Sequence, residues 1–160
     1  MHELSYRLME EALHRVSQPK ALVLDVGSLN INGSFRGLVE RKGWRYIGID
    51  IVHGLNVDTV VEPYQYPFPR CAFDVVISGC TMEHVAKLWE WVPELTRILK
   101  PGGLLVIVTH TEFPGHHFPD YWRLMPDGLR FLFNETGELK QYMIKAEETD
   151  IVGSALKRGG

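Results

Sequence analysis

The chain lacks most features that would set it apart from an ordinary globular protein. It has no apolar stretch near the roughly 20 residues a bilayer-spanning helix needs, so no membrane span is expected. The N-terminus, Met1-His2-Glu3-Leu4, lacks the basic-then-apolar pattern of a secretory signal. Only two cysteines occur, Cys71 and Cys80, with neither metal-ligand spacing nor the density of a disulfide scaffold. A cytoplasmic protein with reduced thiols is the expectation. No excess of one charge exists: 17 Lys and Arg stand against 20 Asp and Glu, a net charge of −3, and the basic residues are scattered. The electrostatic footprint of a nucleic-acid binder is therefore missing. No internal repeat or low-complexity segment is present, and nothing in the sequence signals an oligomeric state.

What is present points to one domain. At 160 residues the chain is long enough to bury a full core, and 45% apolar with 23% charged residues is a soluble composition. The most informative stretch is Val23-Leu24-Asp25-Val26-Gly27-Ser28, followed by Ile47-Gly48-Ile49-Asp50. Each is an apolar run bounded by a carboxylate or a turn former, the pattern of a strand buried on both faces. Parallel strands of this kind end at the carboxyl edge of a sheet, where open α/β folds bind ligands. An acid at the tip of the second strand is placed to accept two hydrogen bonds from a ribose diol, so the pair implies a nucleoside-containing cofactor.

Strand and helix signals alternate along the rest of the chain. Leu4, Leu8, Ala12 and Val16 recur at helical spacing and predict an amphipathic, lid-like helix within residues 1–18. Strands are expected at 21–26, 45–50, 57–61, 73–78 and 104–109, with a helix over 34–42 closed by Gly43. Only 51–56 separates the second strand from the third, too short for a full helix. Leu88, Val92, Leu95, Ile98 and Leu99 line one helix face; Pro93 belongs near its start or at a kink, since an interior proline costs about 3 kcal/mol. Lys100-Pro101-Gly102-Gly103 reads as a stop and turn. Pro126 opens a helix that Gly137 closes, with Met125 where a side-chain cap would stand. Segments 139–146 and 150–156 read as an antiparallel pair ending a mostly parallel sheet with helices on both faces.

These residues resemble the class I S-adenosylmethionine-dependent methyltransferases, over roughly residue 20 to the end. Leu24-Asp25-Val26-Gly27-Ser28 resembles the family's first glycine-containing motif, and Gly48-Ile49-Asp50 its acidic second-strand end. Val60-Val61-Glu62 with Tyr66-Pro67-Phe68 is similar to the segment bordering the adenine. Phe73-Asp74-Val75-Val76-Ile77-Ser78 with Met82-Glu83-His84-Val85 resembles the fourth strand and its turn, and Leu99-Lys100-Pro101-Gly102-Gly103 the turn before the fifth. Asp120-Tyr121-Trp122-Arg123 and Pro126-Asp127-Gly128-Leu129 look like small bacterial members of type 11. The chain departs from the family where glycines usually alternate: here Gly27 leads into Ser28-Leu29-Asn30-Ile31-Asn32-Gly33.

The resemblance implies a three-layer Rossmann-like domain over residues 1–160, a seven-stranded mostly parallel sheet with an antiparallel C-terminal edge strand. It implies S-adenosylmethionine as cofactor, S-adenosylhomocysteine as product, and a small-molecule acceptor carrying a hydroxyl or amine, such as a sugar or secondary metabolite. Expected cofactor residues are Asp25, Gly27, Ser28, Asn30, Asp50, Ile51, Glu62, Ser78, Gly79 and Cys80. His84, His110, His116 and His117 are candidates for a base that deprotonates an acceptor hydroxyl. Phe113, Tyr121, Trp122 and Arg123, with Phe118, are candidates for the substrate pocket. No metal is expected: adjacent His116 and His117 point their rings apart, and no third ligand has fixed spacing to them. Two rival functions are a non-catalytic cofactor-binding partner subunit and an NAD-type oxidoreductase. The absence of a Gly-x-Gly-x-x-Gly spacing disfavours the latter.

Overall fold

In the computed structural model, which describes residues 3–112, 114–115 and 117–159, the apolar runs form the strands of one twisted sheet. The chain order is α1 (Glu3–Leu13), β1 (Leu22–Val26), α2 (Arg36–Arg41), β2 (Arg45–Asp50), β3 (Thr59–Val60) and β4 (Phe73–Gly79). A 3-10 turn at Met82–His84 follows, then α3 (Leu88–Ile98), β5 (Leu99–His110), α4 (Pro126–Glu135), β6 (Leu139–Glu147) and β7 (Asp150–Lys157). The seven strands lie in the order β3-β2-β1-β4-β5-β7-β6. All neighbours from β3 to β5 are parallel, and β7 is antiparallel to both β5 and β6. The last strand therefore inserts beside β5, leaving β6 at the edge.

Alternation along each strand divides the core into two layers. Leu24, Ile49, Val76, Leu105 and Ile107 pack on one face with Trp91, Leu95, Leu129 and Phe133 of α3 and α4. Val23, Val75, Ile77, Val106 and Val108 pack on the other with Leu8, Met9 and Leu13 of α1 and Leu38 and Val39 of α2. No helix among the described residues is long and apolar enough to cross a membrane.

Three local readings are modified by the structure. Pro93 stands within α3 rather than at its start, and it is exposed to solvent. The Lys100-Pro101-Gly102-Gly103 turn is absorbed into β5: Phe73 pairs with Leu99 and Val75 with Leu104, and the shift between them takes up the extra residues while Gly102 adopts φ +76°. The N-terminal helix packs on the sheet face, and none of its described residues lines the main cavity.

Candidate functional site

The chain runs from β1 outward to β2 and β3, then returns to place β4 on the other side of β1. The two halves diverge at the carboxyl ends of β1 and β4, and this is where an open α/β sheet leaves a crevice. A cavity of about 460 Å³ lies there. Of the residues expected at a cofactor, Asp25, Gly27, Ser28, Asp50, Ile51, Gly79 and Cys80 line it, as do His84, His117 and Tyr121 among those expected at the acceptor.

The backbone at this edge leaves no room for other side chains. Gly27 has φ +79°, and a Cβ there would meet Thr81 Oγ1 at 2.1 Å; a Cβ on Gly79 would meet the Phe35 ring at 2.3 Å. The Gly27 and Ser28 amides both donate to the Ile49 carbonyl, at 2.9 and 3.0 Å, pinning the first loop to β2. Asp50 accepts the Leu29 amide on Oδ2 at 3.0 Å and the Val52 amide on Oδ1 at 3.2 Å. Each carboxylate oxygen has a second lone pair, so both oxygens retain acceptor capacity toward the cavity. The Ser28 hydroxyl donates inward to the Asn56 carbonyl at 3.2 Å.

Asp25 is buried on the same rim, with its Oδ2 accepting the Tyr46 hydroxyl at 2.6 Å. Asn56 Nδ2 donates to the Tyr46 oxygen at 2.8 Å, Arg36 Nε donates to Asn56 Oδ1 at 2.6 Å, and the Arg36 guanidinium lies 4.3 Å over the Tyr46 ring. Loss of solvation outweighs the Tyr46 hydrogen bond and pushes the Asp25 carboxyl up to about 7. Burial likewise drives the Tyr46 hydroxyl upward, so it stays a donor.

The opposite wall is tied to α3. Tyr66 and Trp91 both line the cavity, and Trp91 Nε1 donates to the Tyr66 hydroxyl at 2.8 Å. The Tyr66 amide donates to Glu94 Oε1 at 2.7 Å, and Arg97 bridges Glu94 to the Phe68 carbonyl. Tyr66 belongs to the segment whose sequence resembles the adenine border; Tyr46, Asn56, Thr81, Phe35 and Trp91 were not among the residues the sequence marked for the site.

The histidines separate. His84 Nδ1 lies 2.7 Å from the Pro119 carbonyl, which only accepts, so Nδ1 donates there, and Nε2 stands 4.0 Å from Glu83 Oε1. The His117 ring stands 6.5 Å from that of His84. His110 is behind the wall, buried between Asp150 (Nδ1 to Oδ1, 2.9 Å) and Glu83 (Nε2 to Oε1, 3.3 Å). Burial alone would lower His110, but hydrogen bonds to Asp150 and Cys80 and the Glu83 charge hold it up at about 10. His116 and Phe113 lie outside the described residues.

Seven other expected residues do not line this cavity. Asn30 Oδ1 accepts the Gly33 amide at 2.9 Å and the residue borders a second, shallower cavity with Arg36 and Asn56. Glu62 is exposed, in a bridge with Gln65. Ser78 is fully buried and donates to the Val26 carbonyl at 2.7 Å. His110 is the fourth of them. Trp122 Nε1 donates to the Val85 carbonyl, and Arg123 grips both oxygens of Asp120 at 2.6 and 2.7 Å. Phe118, 89% exposed, also lies away from the cavity.

Comparison with known proteins agrees with this architecture. A family model described as a methyltransferase domain matches residues 24–107, more than half of the chain. The chain is 36% identical over 76 residues to the protein YafE of Escherichia coli, covering 48% of this chain and 34% of that one. It is 28% identical over 94 residues to a demethylmenaquinone methyltransferase of Lysinibacillus sphaericus, covering 58% and 37%. The match thus spans about a third of the length of these curated relatives. Among solved structures, Burkholderia thailandensis 1,6-didemethyltoxoflavin-N1-methyltransferase, with bound 1,6-didemethyltoxoflavin and S-adenosylhomocysteine, shares the fold. Its TM-score is 0.75 at 20% identity, over 98% of this chain and 80% of that one. A family match of this extent, on this strand order, makes the chain a member of the class I S-adenosylmethionine-dependent methyltransferase family.

Proposed function

We propose that this chain binds S-adenosylmethionine in the cavity at the β1–β4 switch point and transfers its methyl group to a small acceptor carrying a hydroxyl or amine. The observation that carries this reading is Asp50: a carboxylate at the tip of β2, oriented by two backbone amides, with acceptor capacity left toward the cavity. The cavity's size is that of a small-molecule site, and the Gly27 and Gly79 positions exclude side chains that would fill it. The residues therefore fit the cofactor. Asp50 would hold the ribose hydroxyls, Ile51 and Tyr66 the adenine faces, and Gly27 the passage toward the methionine end.

The cofactor supplies an electrophilic methyl group when bound. The protein's part is to hold an acceptor atom in line and to keep water out. His84 lines the cavity with Nδ1 donating to the Pro119 carbonyl, and as a neutral imidazole its Nε2 would accept the proton of an acceptor hydroxyl. Tyr121, beside it, would wall the acceptor. The names of two similar proteins, demethylmenaquinone and 1,6-didemethyltoxoflavin methyltransferases, support a planar ring compound as the class of acceptor.

The test is thermal unfolding with excess S-adenosylhomocysteine beside NAD and buffer, followed by an acceptor screen with the labelled cofactor. At a hundredfold excess over Kd the ligand stabilises by about 2.7 kcal/mol, a rise of roughly 5–10 °C for a domain this size. A rise with NAD alone, or with neither, rejects the reading. On a hydroxyl acceptor, His84→Gln is expected to lower kcat by about 100-fold or more with S-adenosylhomocysteine affinity unchanged.

A further inference from the structure

Behind the cavity wall, three side chains of different chemistry converge. Cys80 Sγ, Glu83 Oε1 and His110 Nε2 all lie within 4.8 Å of one another. They come from the ends of neighbouring strands: Cys80 follows β4, Glu83 sits in the 3-10 turn after it, and His110 ends β5.

Two features set this cluster apart from a fully hydrogen-bonded ion pair. Glu83 is fully buried, and its Oε1 has no hydrogen-bond donor, the single buried side-chain oxygen or nitrogen in that state among the described residues. Its other oxygen accepts the Thr109 hydroxyl at 2.8 Å, which turns Oε1 toward His110 Nε2, 3.3 Å away. The His110 ring is close enough to Oε1 for charge attraction but makes no hydrogen bond to it, and a desolvated carboxylate oxygen without a donor is costly unless a cation uses its lone pair. On the far side of the imidazole, Nδ1 is held by Asp150 Oδ1 at 2.9 Å, and Asp150 in turn accepts the Ser5 hydroxyl at 2.5 Å. A carboxylate behind the ring is the arrangement that orients metal-bound histidines.

We propose that Cys80 Sγ, Glu83 Oε1 and His110 Nε2 form a binding site for a zinc-class divalent cation, with a fourth coordination position open to the cavity beside Cys80. Thiolate, imidazole and carboxylate together select such an ion over magnesium or calcium. Nitrogen and oxygen ligands at about 2.0–2.1 Å in a tetrahedron stand ~3.3 Å apart, the separation between Glu83 and His110 here. Loading exchanges the Cys80 thiol proton and the ring proton on His110 Nε2 for the ion, releasing both to solvent. Spacing along the chain conceals the set, because its ligands are divided between the segment after β4 and the end of β5. The site stands apart from the methyl-transfer reading.

The experiment titrates chelator-stripped, full-length protein with Co²⁺ and Zn²⁺ at constant pH, reading the sulfur-to-cobalt charge-transfer band and competition with a micromolar chromophoric chelator. One ion per chain is expected, with the band lost in Cys80→Ser and kept in Cys71→Ser, whose cysteine is exposed elsewhere. Glu83→Gln should weaken Zn²⁺ by at least ~10-fold, and Asp150→Asn by about 10–100-fold through the imidazole it orients. Circular dichroism establishes that each variant is folded; should His110 or Glu83 variants unfold, the Cys80→Ser band decides alone. No competition by the wild type, or a band that survives in Cys80→Ser, overturns the proposal. A shift with S-adenosylhomocysteine and no metal binding would reject this site while leaving the methyltransferase reading intact.

Discussion

Thr81 Oγ1 stands over Gly27 so closely that a Cβ at residue 27 would lie 2.1 Å from it. The same hydroxyl is 3.3 Å from the Gly27 carbonyl and 3.2 Å from that of Gly79. One threonine thereby joins the ends of β1 and β4 where the sheet opens. Gly27→Ala must both move Thr81 and place a side chain at φ +79°. The strain alone costs about 1–3 kcal/mol. A lower Tm is expected together with weakened S-adenosylhomocysteine binding. Adding Thr81→Gly should recover part of the Tm, since it removes the clash and leaves the backbone strain; a double variant no more stable than the single would contradict the packing account.

At Asp50 the charge and the shape can be separated. Asp50→Ala removes the ribose acceptor and the anchor for the Leu29 and Val52 amides. Hydrogen bonds to a charged group contribute about 1.5–3 kcal/mol, so calorimetry should show S-adenosylhomocysteine weakened at least ~10-fold. Asp50→Asn keeps one acceptor oxygen and should fall between the two. Wild-type affinity in Asp50→Ala would sink the cofactor assignment.

Asp25 makes stability fall with rising pH. Its folded pKa, about 7, exceeds the ordinary value of 3.8, so the folded state binds the proton more tightly than the unfolded chain. The resulting stabilisation is fully present below about pH 4 and is lost as pH rises through about 7. Asp25→Asn keeps an acceptor for Tyr46 and has no charge to desolvate. The variant should therefore gain on the wild type between pH 4 and 7, ending roughly 5 °C or more ahead above pH 7. Parallel Tm curves across that range would refute the assignment.

Glu94 behaves in the opposite sense. Burial pulls its carboxyl upward, but the Arg97 guanidinium and the Tyr66 amide prevail and hold it below 4.5. Its contribution is present above pH 4.5 and disappears as pH falls through the lowered value. Glu94→Gln should lower Tm at pH 7 more than at pH 3. Because Tyr66 walls the cavity, it should also weaken S-adenosylhomocysteine a few-fold. Equal Tm losses at both pH values would show that the pair acts by shape and not by charge.

The sheet was legible because its signals are local. Runs such as 23–26 and 73–78 can only be satisfied inside a two-sided layer, and the short 51–56 segment announced the compressed β2–β3 connection that the structure has. Pro93 was less legible, since its tolerance within α3 depends on facing solvent. So was the 100–103 turn, whose fate depended on the register against β4. Among the site residues, Gly27, Asp50 and Gly79 were readable as strand termini. Arg123 was not: whether its guanidinium met a substrate or Asp120 is a question of rotamer, which residue type does not carry.

The sequence by itself determined the parallel sheet, its carboxyl edge, and the acid and glycine at the tips of β2 and β1, because hydrophobic runs and turn formers act within a few residues of themselves. Only the tertiary structure decided which polar groups face one another. Tyr46 reaches Asp25 from the neighbouring strand, and His110 lies between Glu83 and Asp150, residues far from it in the chain. Those pairings follow from strand order and register, and from the requirement that buried polar atoms find partners wherever the fold brings them.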